Sequence, residues 1–564
     1  MKRKRRITAA GLLIASLLAV TACSGNNTNE GAANTAQPSG GATASDGTAS
    51  DGSASGSPKP VEITMVRENA ADIKYKAGET IDKNAVSDAL QRDLGITIKN
   101  LWVAETSQYK QKVQMSISSN DIPDLMFVGD TAQLQQLIEA DMIMDLTDVY
   151  EKNATAETKA YLTGDGGKQM ESAKIGGKLM AIPMTNGPYG ASTEVWIRRD
   201  WLKKLNLQEP KTMQDVVNIA QAFASQDAGG TGKTYGLPLT KEFFEDQTFD
   251  IKGFFNGYHS YPNQWIKDAS GQLVNGNIQP ETKQALKQLQ DMYKAGLIDP
   301  EFGVKDVTKE SELVASNKMG IVYGPFWLSA YPLFTSAVKN GKLEQDWWPY
   351  PIVSADDKPA LSQIELGVGG YYVVNKKMKN PEAVIRLLNK WVQAYTNPAE
   401  SDKVYLLQNE EASNYWKLNP IRAFSQTETV LLGDSVPKAV EAKDPASLTG
   451  LEAPNRYGKI MKYLDGDMSE WAEYPISGPK GAFSIMYDYL QNDRYHFNEF
   501  YGAFGPVMLE KKPILDAKMN EVFFKIIMNN APIDDFDKFV DEWKRLGGDE
   551  MTAEVNAWYA ETTK

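Results

Sequence analysis

Chemistry in this chain falls to carboxylates, amides and aromatic rings, because imidazole and thiol are nearly absent. His259 and His496 are the two histidines among 564 residues, and Cys23 is the single cysteine. Two imidazoles cannot build a His-rich metal site, and they argue against a histidine-activated nucleophile. Neither a G-x-S-x-G elbow nor an H-E-x-x-H helix occurs. Gly232-Lys233-Thr234 has the ending of a phosphate loop, but Asp227 stands where that loop needs its first glycine, so the segment reads as a turn. Two carboxylates about 5–10 Å apart would suffice for glycoside hydrolysis. The 73 acidic residues leave room for such a pair, yet no spacing picks one out.

The front of the chain sets where the rest must act. Lys2-Arg3-Lys4-Arg5-Arg6 is an unbroken cationic block, and an apolar run follows from Ile7 to Val20. That order is a secretion signal, and the run falls short of the roughly 20 apolar residues a bilayer span needs. Val20-Thr21-Ala22-Cys23 resembles the lipobox of bacterial lipoproteins. The resemblance implies a signal peptide over 1–22, a diacylglyceryl group on the Cys23 sulfur, and Cys23 as the mature N-terminus. From Ser24 to Lys59 there is no aromatic residue and no Leu, Ile, Val or Met. Such a stretch buries too little apolar surface to fold, and it reads as a tether (23–60) with an end-to-end reach of about 30–36 Å.

The body, from Pro60 on, is long enough for two lobes. Removing the five cations Lys2–Arg6 leaves 55 basic residues against 73 acidic ones, a formal charge of −18. That balance, with no dense basic run after Arg6, argues against nucleic acid as a partner. Strand and helix alternate at the start of the body. Val61–Val66 reads as a strand, Lys83–Asp93 as a helix, Ile96–Ile98 as the start of a strand, Tyr109–Ser118 as a helix, and Asp124–Val128 as a buried strand. This pattern predicts a doubly wound α/β sheet. Asn380-Pro381-Glu382 starts a helix whose stripe is Ala383, Val384, Leu387, Leu388, Trp391 and Val392. A second stripe, Phe536, Phe539, Val540 and Trp543, runs to Gly547-Gly548. Both stripes read as core packing.

Several segments in order then resemble the extracellular solute-binding lipoproteins of ABC sugar importers, in the large branch found in Gram-positive bacteria. They are Ile122–Val128, Gly177–Pro183, Trp196–Trp201 with Pro210-Lys211-Thr212, Ala295–Phe302, Gly320–Trp327 and Ile526–Phe536. The resemblance implies two α/β lobes of periplasmic-binding-protein type around a ligand cleft, with lobe 1 as 61–188 and 366–410 and lobe 2 as 189–365 and 411–564. It also implies a monomer that captures a carbohydrate, an oligosaccharide above all, and passes it to the permease subunits of an ABC transporter, without catalysis. Two other readings stand beside it: a cell-surface carbohydrate-active enzyme, and a binding protein for another solute such as a peptide.

Sugars present apolar C–H faces to aromatic rings and hydroxyl rims to carboxylates, amides and guanidinium groups. Trp327 follows Gly324-Pro325, where the resembled family often places a stacking ring, with core packing the alternative. Asp130 lies past a strand's C-terminal end, where open α/β sheets bind ligands, or else caps the next helix. Glu68 lies past the first strand. Asn186, Tyr189 and Tyr371 fall near the expected crossings between lobes. Trp348 and Trp416 sit in polar surroundings as further candidates or as structural rings. Some oligosaccharide binders of this family carry a calcium loop, and the corresponding stretch here is Asp227–Leu237. Gly229 and Thr231 replace oxygen-rich ligands there, so no metal and no cofactor is expected, since calcium takes six to eight oxygens. Anchoring is expected to depend on Cys23. Cys23→Ala should release the protein to the medium or stall its processing, and a processed variant still fractionating with membranes would overturn that expectation.

Overall fold

The computed structural model describes residues 60–244, 248–407, 411–450 and 452–562. The expected export segment, Cys23 and the expected tether up to Lys59 therefore lie outside the described residues. Val61–Asn69 opens a five-stranded sheet, pairing in parallel with both Ile96–Glu105 and Leu125–Val128. The register slips between Met65 and Val66, which face Asn100 and Trp102 and leave Leu101 unpaired. Tyr371–Val374, arriving from far along the chain, lies antiparallel between Leu125–Val128 and Ile182–Pro183. Four strands thus point one way, and their C-terminal ends share an edge with the N-terminal end of the fifth.

Local chemistry explains the connecting helices. Asn84 accepts from the Val86 and Ser87 amides, each at 3.0 Å, and caps Ala85–Leu94, which Gly95 ends at φ 65°. Pro381 holds a helical φ of −65° just before Glu382–Thr396. Ala383, Val384, Leu387, Leu388, Trp391 and Val392 are all buried against this first sheet's core, as their spacing predicted.

A second core is mostly helical. Its sheet has three antiparallel strands in the order Ile321–Gly324, Glu194–Arg198, Trp347–Tyr350. Phe536, Phe539 and Trp543 are buried in it, with Val540 packed alongside. Gly547 takes φ 120°, which breaks the helical path before Asp549–Thr562. The sequence thus reads as α/β throughout, while the wound sheet with helices belongs to the first core alone. One expected boundary moves. Ala412, Tyr415, Leu418, Ile421 and Ala423 pack into the first core rather than the second, because Tyr415 and the residues after it lie against the opening strand and helix.

Three segments pass between the cores and are tied together. The buried Gln169 amide donates to the carbonyls of Asn186 (2.8 Å) and Leu366 (2.7 Å) and accepts from the Asn186 amide (3.0 Å). Thr185 Oγ1 donates to the Phe424 carbonyl at 2.8 Å, and the Phe424 amide returns a bond to the Thr185 carbonyl at 3.0 Å.

Burial carries an electrostatic cost at Glu310, whose helix Val307–Ala315 is capped by Asp306. Both carboxylate oxygens are buried without a hydrogen-bond partner. Burial, helped by the Asp299 charge and opposed by Lys305, raises its pKa to about 8. The raised folded value means that its contribution to stability is complete below the unfolded pKa of about 4.3 and is lost as pH rises through about 8. Glu310→Gln removes this loss, so at pH 8 the variant is expected to be more stable than the parent by about 1–3 kcal/mol. Urea unfolding midpoints at pH 5 and pH 8 check this, and parallel curves for the two proteins would sink it.

Candidate functional site

The shared strand edge of the first sheet gathers chemistry from distant parts of the chain. Arg67 and Glu68 end the first strand, and Tyr109 comes from the helix Thr106–Ser118. Phe127 and Tyr372 are cross-strand partners. With Lys417, Asn419, Pro420 and Arg422 they line a cavity of about 180 Å³. Arg67 is 8% exposed, and its Nη2 donates to the Lys417 carbonyl at 3.2 Å. Burial, and then the Arg422 charge, lower its pKa to about 10, so it stays cationic at neutral pH. Arg422 donates through its backbone amide (3.1 Å) and Nε (3.4 Å) to the Tyr372 hydroxyl. Its guanidinium also sits 5.3 Å from the centre of the Trp416 ring, a cation–π contact shared with Lys417 at 5.2 Å.

Each residue expected from the sequence has a definite place. Glu68 is exposed on the cavity rim and accepts from the Thr106 hydroxyl. Trp416 is half-buried beside the cavity, edge-on to Phe424 at 5.6 Å. Asp130 caps Thr131–Glu139 through the Gln133 amide at 2.9 Å and pairs with Lys110 at 2.7 Å. Asn186 is exposed at the first crossing, its backbone held by Gln169. Tyr371 is buried and donates to Ser172 Oγ at 3.1 Å. Tyr189 is buried in a third cluster, 4.8 Å from Tyr495 and 6.2 Å from Phe497. Trp348 is buried in the second core, with the Arg199 guanidinium 4.4 Å from its ring. Trp327 is half-buried against a fourth cluster around Trp196 and Trp347. Neither Trp348 nor Trp327 lines the cavity.

Sequence reasoning passed over Arg67, Arg422, Tyr109 and Tyr372. The strand-end argument that found Glu68 reaches Arg67 as well, but nothing local links Arg67 to a partner 350 residues away. Gly502 meets this edge by accepting from Thr131 Oγ1 at 3.4 Å, and Phe497 of the third cluster lies under the Lys168 ammonium at 4.0 Å. Burial raises the Tyr371 pKa, the Ser172 bond opposes the rise, and Tyr501 adds to it.

One cluster invites a catalytic reading and fails it. Asp356 Oδ1 (2.9 Å) and Ser354 Oγ (3.3 Å) both approach His259 Nε2. A relay needs the acid on one ring nitrogen and the hydroxyl on the other. Here they compete for a single one.

In the loop that resembles a calcium site, the Asp227 carboxylate accepts from Thr234 Oγ1 (2.7 Å) and from the Gly232 and Thr231 amides (2.8 and 3.3 Å). Its oxygens are committed to folding the turn.

Two cores of mixed helix and sheet, joined by several crossings and meeting at one strand edge, define a two-lobed fold of periplasmic-binding-protein type. Residues 75–400 match the bacterial extracellular solute-binding protein family, and the chain belongs to it. It is 24% identical over 499 residues to lipoprotein LipO of Bacillus subtilis, covering 85% of this chain and 89% of that one. It is 26% identical over 243 residues to the fructooligosaccharide ABC transporter substrate-binding protein FusA of Streptococcus pneumoniae, covering 39% of this chain and 42% of that one. Among solved structures, an HMO binding ABC-transporter associated solute binding protein from Bifidobacterium longum infantis superposes with TM-score 0.57 at 14% identity, over 90% of this chain and 99% of that one. FusA in complex with kestose gives 0.54 at 17% identity, over 89% and 99%.

The Asp227 bonds yield a prediction. Melting temperature and ligand affinity should agree with and without a calcium chelator, and a chelator-induced loss of several degrees would contradict it.

Proposed function

We propose that this protein captures a soluble carbohydrate, an oligosaccharide above all, outside the cell and hands it to the permease of an ABC transporter. It works as a monomer held at the membrane by a lipid on Cys23, and it binds its ligand without catalysis. The observation that carries this reading is the convergence of guanidinium, carboxylate, amide and aromatic groups on one strand edge, around a cavity at Arg67, Glu68, Tyr109, Asn419 and Arg422. Rings cover the apolar faces of a pyranose, and the charged fork and amide groups bond its rim. Relatives named for fructooligosaccharide and for polygalacturonan/rhamnogalacturonan binding support the same ligand class.

Capture works by closing one core on the other. A ligand shifts that equilibrium only by binding the closed form more tightly than the open one. Contacts from both cores supply that difference, with Trp327 on one side and Asp130 on the other as candidate contributors.

Small-angle scattering should report compaction when an accepted oligosaccharide is added. Trp327→Ala should weaken binding by about 1–3 kcal/mol, the loss of a stacking ring, with the far-ultraviolet spectrum unchanged. Asp130→Asn keeps the helix cap and removes the charge, including its pairing with Lys110, and should also weaken binding. The proposal fails if no carbohydrate compacts the protein, or if both variants bind the accepted sugar as the parent does.

A further inference from the structure

Two guanidinium groups facing one cavity need a reason. Arg67 and Arg422 line the same cavity, where burial and then the Arg422 charge disfavour the Arg67 cation, and Arg67 is 8% exposed. Among the described residues neither forms an ion pair. The third cation of the lining, Lys417, is already neutralised by Asp72 at 2.7 Å. The one carboxylate of the lining, Glu68, is exposed and bonded to the Thr106 hydroxyl. Arg67 makes a single hydrogen bond among the described residues, through Nη2 to a carbonyl. A buried, uncompensated cation is costly, and a ligand anion removes that cost.

We infer that the cavity holds the carboxylate of an acidic sugar, so that the captured oligosaccharide contains uronic acid units. This deepens the carbohydrate-capture reading and rests on it. Planar guanidinium forks match a carboxylate in a bidentate manner. The rings of Tyr109, Phe127 and Tyr372 line the same cavity, which a bare inorganic anion would leave unused. An apolar sugar face beside an anionic group satisfies both halves of the lining. Arg67 and Arg422 contact the carboxylate, and Trp416, stacked on Arg422, positions that guanidinium.

The test compares trimers of galacturonic, mannuronic and glucuronic acid with their methyl esters and with the neutral trimers of galactose, mannose and glucose, by calorimetry on the full chain without its export segment. Inorganic phosphate alone is a further arm. At least one uronate trimer should bind, with its methyl ester and neutral counterpart about tenfold weaker or more. Arg67→Gln and Arg422→Gln should each abolish most of that difference between acid and ester. The two variants guard against one failing to fold, and apo melting temperatures report that directly. Equal affinity for acid and ester overturns the inference, as does phosphate binding as tightly as the best uronate. Tight binding of a neutral trimer with none of the uronates overturns the inference and leaves carbohydrate capture standing. Binding of no saccharide at all overturns both.

Discussion

The side chain of Gln169 holds the molecule's geometry. Fully buried, it spends its amide on two segments that pass between the cores, taking the Asn186 and Leu366 carbonyls and receiving the Asn186 amide. The third segment joins through the reciprocal bonds of Thr185 and Phe424. A buried amide that loses one of these partners leaves unsatisfied polar groups, at about 1–3 kcal/mol each. The three crossings are therefore fixed at one place, and any motion of the cores must turn about it. Gly367 makes the approach possible: at φ 82° its α-carbon faces Pro188, where an added Cβ would lie 3.0 Å from that ring.

From this point the two cores reach the shared strand edge differently. The first sheet contributes strand ends whose positions are set by backbone ladders, so Arg67 and Tyr371 are held by strand pairing. The second core contributes Tyr501 and Gly502 from a segment between the strand Tyr495–Phe497 and the helix Pro506–Ile527.

Much of the first core was legible because its signals are local. The strand at Val61, the helix that follows Lys83 and the stripe from Ala383 to Val392 each lie within a few residues of their cause. Glu68 and Asp130 were picked out by the rule that ligands meet strand ends, and Asn186 by its place near an expected crossing. Trp348 was harder to read, since a ring beside polar residues gives no sign that Arg199 will cover it. The return of residues 412–423 to the first core was also hidden, because it depends on packing against Tyr75 and Arg67 more than 300 positions earlier. The cavity was invisible for the same reason. Arg67 and Arg422 are ordinary surface cations in sequence and become a pair only when the chain closes.

The charge distribution has a consequence in time rather than in affinity. The chain carries a formal charge of −13, and the cationic lining is confined to one recess. An acidic solute is repelled at long range and attracted only inside the screening length, about 8 Å at physiological ionic strength. For such a solute, added salt first speeds encounter by masking the acidic surface, and then weakens the hold of the recess. Arrival and residence thus respond to ionic strength with opposite sign, which makes the surrounding medium a filter on how quickly cargo is exchanged.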